Sequence, residues 1–200
     1  MPRDTPGRRQ AILDAALRCL ERAGVDGLTV QALSEESGAS VGSLYHHFGS
    51  LGGVFGSLYQ AGLISYREVL IAALHEAPSA RDKVEATVRT YLRWCEEHPA
   101  WARFLLKGRG HPGVRANEAA IRDETRMFGK QVFELFRPHV KAGEIERLPG
   151  EVYGPLLTGP AEELIRHWLA GRNERPPTHY ADLLARLAWK SLRVSDDGES

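Results

Sequence analysis

Few side chains in this sequence are spaced for catalysis. Cys95-Glu96-Glu97-His98 sets a thiol and an imidazole three residues apart, with His111 further along the chain, and both ligand types suit zinc. Cys95 falls on an apolar helical stripe, however, and His98 precedes Pro99, where an imidazole commonly satisfies the carbonyls of a helix end. The reading is therefore no metal and no cofactor. Glu163 and His167 have the spacing of neighbours on a helix surface. Neither a nucleophile with its base, nor paired carboxylates, nor a Gly-rich phosphate loop can be placed, and Glu-x-x-His pairs of the helical di-iron type are missing. No catalytic residue can be named, which reads against an enzyme. A different chemistry is concentrated between Thr29 and Phe48. There Thr29, Ser40, Ser43, Tyr45 and His46 offer hydroxyls and an imidazole, groups that bond phosphate oxygens.

That stretch, TVQALSEESGASVGSLYHHF, predicts two short helices around a turn at Gly38. Thr29 is placed to cap the first, with Val30 and Leu33 inward and Gln31, Glu35 and Glu36 in water. Gly38 can take the positive φ of a helix exit, and Ser40 can cap the second helix. Helices joined so tightly cross steeply, which is the geometry of a DNA-reading helix-turn-helix whose second helix enters the major groove. Leu44 and Phe48 would anchor that helix and leave Val41, Gly42, Ser43, Tyr45 and His46 outward. Small residues at its start let the backbone come close to a duplex. Spacing alone leaves a second reading open: an ordinary helical hairpin with Tyr45, His46 and His47 as half-buried surface residues.

The flanking chain predicts only helices. Thr5-Pro6 starts one that runs to about Arg22 and buries Ile12, Leu13, Ala16, Leu17 and Leu20 along one stripe. A helix from the Gly-rich link to about Glu76 has apolar residues on more than one face, as a helix joining two cores would. Helices follow at about 81–97, at 100–107 and, after a loop at 108–113, at 114–141. Two more, at about 151–170 and 180–193, close the pattern, the first with a kink or interruption expected at Pro155 and Pro160. Leu164 and Trp168 on one, and Leu183 and Leu187 on the other, give apolar faces that fit either an internal core or a partner. Two cysteines, Cys19 and Cys95, in apolar patterns suggest a reducing compartment, and no apolar run reaches membrane-spanning length. With no signal-peptide core near the start, the expectation is a cytoplasmic protein with no membrane partner. Charge is the discordant note. Residues 1–60 carry five arginines against six carboxylates, a net charge of minus one, so weak non-specific binding and a modest salt dependence are expected.

RRQAILDAALRCLERAG, followed by LTVQALSEESGASVGSLYHHFGS, resembles the N-terminal module of the TetR family of transcriptional regulators, with SVGSLYHHF its most specific part. The resemblance implies an all-α fold: a three-helix helix-turn-helix domain over 1–50 and a ligand-binding and dimerisation bundle over 51–193; the polar VSDDGES at 194–200 reads from its composition as a disordered tail. It implies that Thr29, Ser43, Tyr45 and His46 contact phosphates, that Val41 and Gly42 lie nearest the bases, and that Ser40 sits among them as the cap. It also implies a cavity for a small, mostly apolar effector among Tyr91, Trp94, Trp101, Phe104, Met127, Phe128 and Tyr153, with Arg103, Arg126 and His167 as polar candidates. By the residues alone, that aromatic set also reads as plain core. The expected assembly is a homodimer through Leu164, Trp168, Leu183 and Leu187 on a pseudo-palindromic DNA operator, acting as a repressor, with the long fourth helix passing the effector signal. Two positions depart from the family pattern: Ser34 where Ala is usual, and Leu51, followed by Gly52 and Gly53, where a Lys is usual. A phosphate anchor is thus missing and a loose start to the next helix is expected. The alternative is a helical small-molecule-binding protein or enzyme that does not bind DNA.

Overall fold

The computed structural model describes residues 6–108 and 110–195. The expected cap Thr5, Arg3 and the tail from residue 196 lie outside the described residues. Ten α-helices account for most of the described chain: α1 Pro6–Ala23, α2 Val30–Ser37, α3 Val41–Phe48, α4 Leu51–Glu76, α5 Ala80–Glu97, α6 Pro99–Gly108, α7 Pro112–Arg115, α8 Glu118–Lys141, α9 Gly150–Leu169 and α10 Ala181–Leu192. Among the described residues there is no strand, and one antiparallel bridge pairs Ile145 with Arg193. Two expectations change. The helix expected over 114–141 is broken at Ala116 and Asn117 into α7 and α8, because His111 caps a separate short turn through its Nδ1, which accepts the Gly113 N–H at 3.1 Å. Conversely, α9 runs without interruption through Pro155 and Pro160.

The chain forms two compact units. Among the described residues, one comprises those within 1–64 and 100–125, the other those within 65–99 and 126–200, so α4 supplies residues to both. The first unit is built on α1, whose Ile12, Leu13, Ala16, Cys19 and Leu20 are buried together with Leu28, Leu33 and Leu44. Val54, Phe55, Leu58 and Tyr59 of α4 and Phe104 of α6 extend the same cluster.

The glycines at the start of α4 are packing sites rather than a loose end. Ser50 caps the helix by accepting the Gly53 N–H at 3.0 Å. A Cβ on Gly52 would lie 3.3 Å from the Gly113 Cα, and one on Gly53 would run into the Phe48 carbonyl. Asn117 fastens this junction, since its amide donates to the carbonyls of Gly52 at 3.2 Å and Gly113 at 2.9 Å.

The second unit packs α5 against α9 and α10. Val84, Val88, Leu92 and Cys95 form its buried stripe with Ala161, Ile165, Ala185, Ala188 and Leu192. Glu85 is buried beneath two arginines, accepting from Arg81 at 2.7 Å and Arg89 at 2.8 Å, and Arg89 reaches on to Asp182 of α10 at 3.0 Å.

Candidate nucleic-acid interface

The helix pair α2 and α3 is set by its caps. Thr29 Oγ1 accepts the Ala32 N–H at 3.1 Å, which satisfies one of the donors that a helix start leaves open. Leu33 then points fully inward, and α2 ends at Gly38, whose φ of 60° is left-handed and cheap only for glycine. Ser34 donates to the Ala39 carbonyl at 2.6 Å, and Ser37 accepts the Ala39 N–H at 3.1 Å. The hydroxyl at position 34 therefore ties the turn to α2. Ser40 begins α3 by accepting the Ser43 N–H at 3.2 Å. Leu44 is buried and Phe48 half-buried, which fixes the rotation of α3 about its axis. That rotation leaves Val41 46% and Tyr45 48% exposed. Thr29, Ser40, Gly42 and His46 are also exposed, and Ser43 is half-buried. All seven candidate DNA-contacting residues thus lie on two consecutive helices or at their caps, five of them on α3.

Charge around this pair is arranged in a way no count of residues reveals. Arg18 and Arg22 of α1 both bond to Glu36 of α2, at 2.7 and 2.9 Å, and hydrogen bonding from Arg18 and then Arg22 holds the Glu36 carboxyl below its ordinary pKa. One carboxylate is shared by these two cations and offsets one of their two charges. Arg8 and Arg9 lie within the first turns of α1. Arg8 donates to the Gly38 carbonyl at 2.7 Å, at the turn that leads into α3. Arg9 donates to Ser57 at 2.9 Å and holds its guanidinium 5.1 Å from the centre of the Phe48 ring, at the other end of α3. Cations therefore flank α3 at both ends. Leu51, at the position of the missing Lys, is half-buried against the core.

The candidate effector residues separate into groups. In the second unit the Tyr66 ring lies 5.5 Å from Tyr91, 5.5 Å from Trp94 and 6.0 Å from Phe128, so three of the seven gather around a residue whose spacing marks it only as part of a helix stripe. Burial pushes the phenol pKa values of Tyr66 and Tyr91 upward and that of the Cys95 thiol up to about 12, so this cluster stays neutral. Trp94 Nε1 donates to Ser65 at 3.3 Å. Phe104 is buried in the first unit against Phe55 and Tyr59, and Trp101 fills the place where a Cβ on Gly62 would stand. Tyr153 pairs with Phe133 at 5.8 Å, while its hydroxyl accepts the Leu148 N–H and donates to the Glu146 carbonyl. Met127 is exposed. Of the polar candidates, Arg103 and Arg126 are exposed and His167 pairs with Glu163 at 3.1 Å.

Of the dimer candidates, Leu183 and Leu187 are each 45% exposed one turn apart on α10, and Leu164 and Trp168 are half-buried on α9. A groove of about 390 Å³ runs along α9 over Gly154, Pro155, Thr158 and Gly159 to Glu162 and Arg166. No described helix is long and apolar enough to cross a membrane.

Residues 12–57 match the family model for bacterial regulatory proteins of the tetR family. The chain is 29% identical over 114 residues to the HTH-type transcriptional regulator BetI of Rhizobium meliloti, covering 55% of this chain and 56% of the relative. It is 39% identical over 62 residues to the HTH-type transcriptional repressor AcnR of Corynebacterium glutamicum, covering 31% of this chain and 33% of that one. The chain spans about half the length, or less, of the curated relatives it matches. The solved structure of the regulator FadR from Bacillus subtilis in complex with stearoyl-CoA superposes with a TM-score of 0.76 at 15% identity, over 90% of this chain and 96% of that one, a likeness of fold alone. Residues 12–57 thus match the N-terminal module of the tetR family of bacterial regulatory proteins, and the chain as a whole shares the fold of solved structures described as tetR-family regulators.

Proposed function

We propose that this protein is a ligand-responsive, DNA-binding transcriptional regulator that acts as a repressor and leaves its operator when a small, mostly apolar effector binds. The observation that carries the proposal is the capped, outward face of α3 with an arginine held at each end. Residues 1–50 are its reading domain and residues 51–193 bind effector and partner. Thr29, Ser40, Ser43, Tyr45 and His46 meet phosphates, and Val41 and Gly42 face the bases. The neutral cluster of Tyr66, Tyr91, Trp94 and Phe128 is the wall that an apolar effector meets, a choice supported by the fold relative that binds stearoyl-CoA. The working form is a homodimer in the cytoplasm. Leu183 and Leu187 face the partner, because one two-turn helix reads only a few base pairs and two copies read a pseudo-palindrome. The effector displaces the equilibrium between DNA-competent and DNA-incompetent conformers by no more than its differential affinity for them.

A gel-shift series on duplexes from the DNA upstream of the protein's own gene tests this at low salt. A sequence-specific complex is expected with the wild type. Tyr45→Phe weakens binding to all duplexes alike, whereas Val41→Ala changes the preference among them. A folded dimer that gives no specific complex would sink the proposal.

A further inference from the structure

The helix α3 reads Val41-Gly-Ser-Leu-Tyr-His-His-Phe48 and contains no Arg, Lys, Asn, Gln, Asp or Glu. Those are the side chains that identify a base pair in the major groove by paired hydrogen bonds, Arg or Lys on guanine and Asn or Gln on adenine. Gln31, exposed on α2, has its amide taken up by Glu35 at 2.9 Å. Sequence reading by this helix must use another signal. The candidate is Val41, the first residue of α3, which is 46% exposed and stands outside the hydrophobic cluster that holds Leu33, Leu44 and Phe48. A β-branched side chain in water on a helix gains nothing for stability. Next to it, Gly42 is bare: a Cβ there would meet nothing nearer than Ser40 Oγ at 3.9 Å, so the backbone can approach a surface closely. The one apolar group on the major-groove edge of a base pair is the C5 methyl of thymine.

Resting on the DNA-binding function above, we propose that Val41 reads a thymine methyl, so that each operator half-site carries a required thymine recognised by apolar contact rather than by a hydrogen-bonded guanine or adenine. The hydroxyls of Ser40 and Tyr45 and the flanking Arg8 and Arg9 then hold the phosphates that set the helix at the depth this reading needs.

The test begins with selection of duplexes from a randomised pool by the full-length protein. Each thymine of the enriched duplex is then replaced, symmetrically in both half-sites, by deoxyuracil, which removes only the methyl. One thymine position is expected to weaken binding about four-fold per half-site and about fifteen-fold when both are changed, the effect of losing one buried methyl at each half-site. The same replacement leaves Val41→Ala binding unchanged within about two-fold; that variant keeps its helix content because the side chain is exposed. Tolerance of deoxyuracil at every position, or undiminished sensitivity in Val41→Ala, overturns the proposal while leaving DNA binding intact. A pool from which the wild type enriches no duplex overturns the DNA-reading function itself.

Discussion

Replacing Gly56 by Ala sets two known effects against each other. Alanine in a helix interior is favoured over glycine by about 1 kcal/mol, so propensity alone predicts a more stable protein. The structure predicts the opposite. A Cβ at position 56 would stand 2.3 Å from Cγ and Nδ2 of Asn117 and 2.7 Å from its Cβ, too close for a rotamer change to relieve. Asn117 must withdraw, and with it go its hydrogen bonds to the carbonyls of Gly52 and Gly113. At about 1 kcal/mol for each bond, with a further penalty for carbonyls left unpaired in a half-buried place, the loss exceeds the propensity gain by about 1–2 kcal/mol. In a chain of this size each kcal/mol moves the thermal midpoint by about 2–4 °C. Gly129, inside α8 with nothing within 4 Å of an added Cβ, supplies the matched control. Thermal unfolding followed by far-ultraviolet circular dichroism should show Gly129→Ala melting higher than the wild type and Gly56→Ala melting lower. Adding Asn117→Gly to Gly56→Ala should cost less than the two single changes combined, because the clash has been removed. A rise in midpoint for Gly56→Ala like that for Gly129→Ala would refute the packing argument.

Three further outcomes follow from the same geometry. Arg9→Ala should lower affinity for any duplex and flatten the plot of log affinity against log salt by about one for each phosphate left without its cation, while Leu51→Lys should steepen it; equal slopes in all three proteins would remove Arg9 from the interface. Burial pushes the Glu85 carboxyl pKa up, but hydrogen bonds from Arg81 and Arg89 override it and the net shift is downward. The carboxylate therefore stabilises the fold above the unfolded value of about 4.3, and this is lost as pH falls through the lower folded value, so Glu85→Gln should show a shallower acid-side fall in unfolding midpoint than the wild type. Leu183→Glu combined with Leu187→Glu should give a folded monomer by sedimentation and abolish gel-shift complexes, whereas a persistent dimer would assign those leucines no part in assembly.

The helix-turn-helix was legible because its instructions are local. Thr29 and Ser40 each cap a donor three residues ahead, and Gly38 ends its own helix, so type and spacing were enough to place them. Partners distant in sequence could not be read in this way. Gly52 and Gly53 look like weak helix formers until Gly113 and Asn117, some sixty residues on, are seen to occupy the space a side chain would take. The aromatic set behaves similarly: spacing puts Trp101, Phe104 and Trp94 on helices alike, yet Phe104 belongs to the core of one unit and Trp94 to a ring cluster in the other.

Charge gives the sharpest case, and it joins affinity to specificity. The count of minus one over residues 1–60 treats five arginines as equivalent, whereas Arg18 and Arg22 share the Glu36 carboxylate and Arg8 and Arg9 stand beside α3. On the reading proposed above, phosphate attraction rests chiefly on the arginines beside α3, and base discrimination on a methyl group that carries no charge. Salt acts on the first and not on the second. Raising ionic strength should therefore weaken binding to the selected duplex and to a scrambled one in parallel, with their affinity ratio constant. A ratio that falls as salt rises would mean that a charged side chain reads the bases, and would shift the reading head away from Val41.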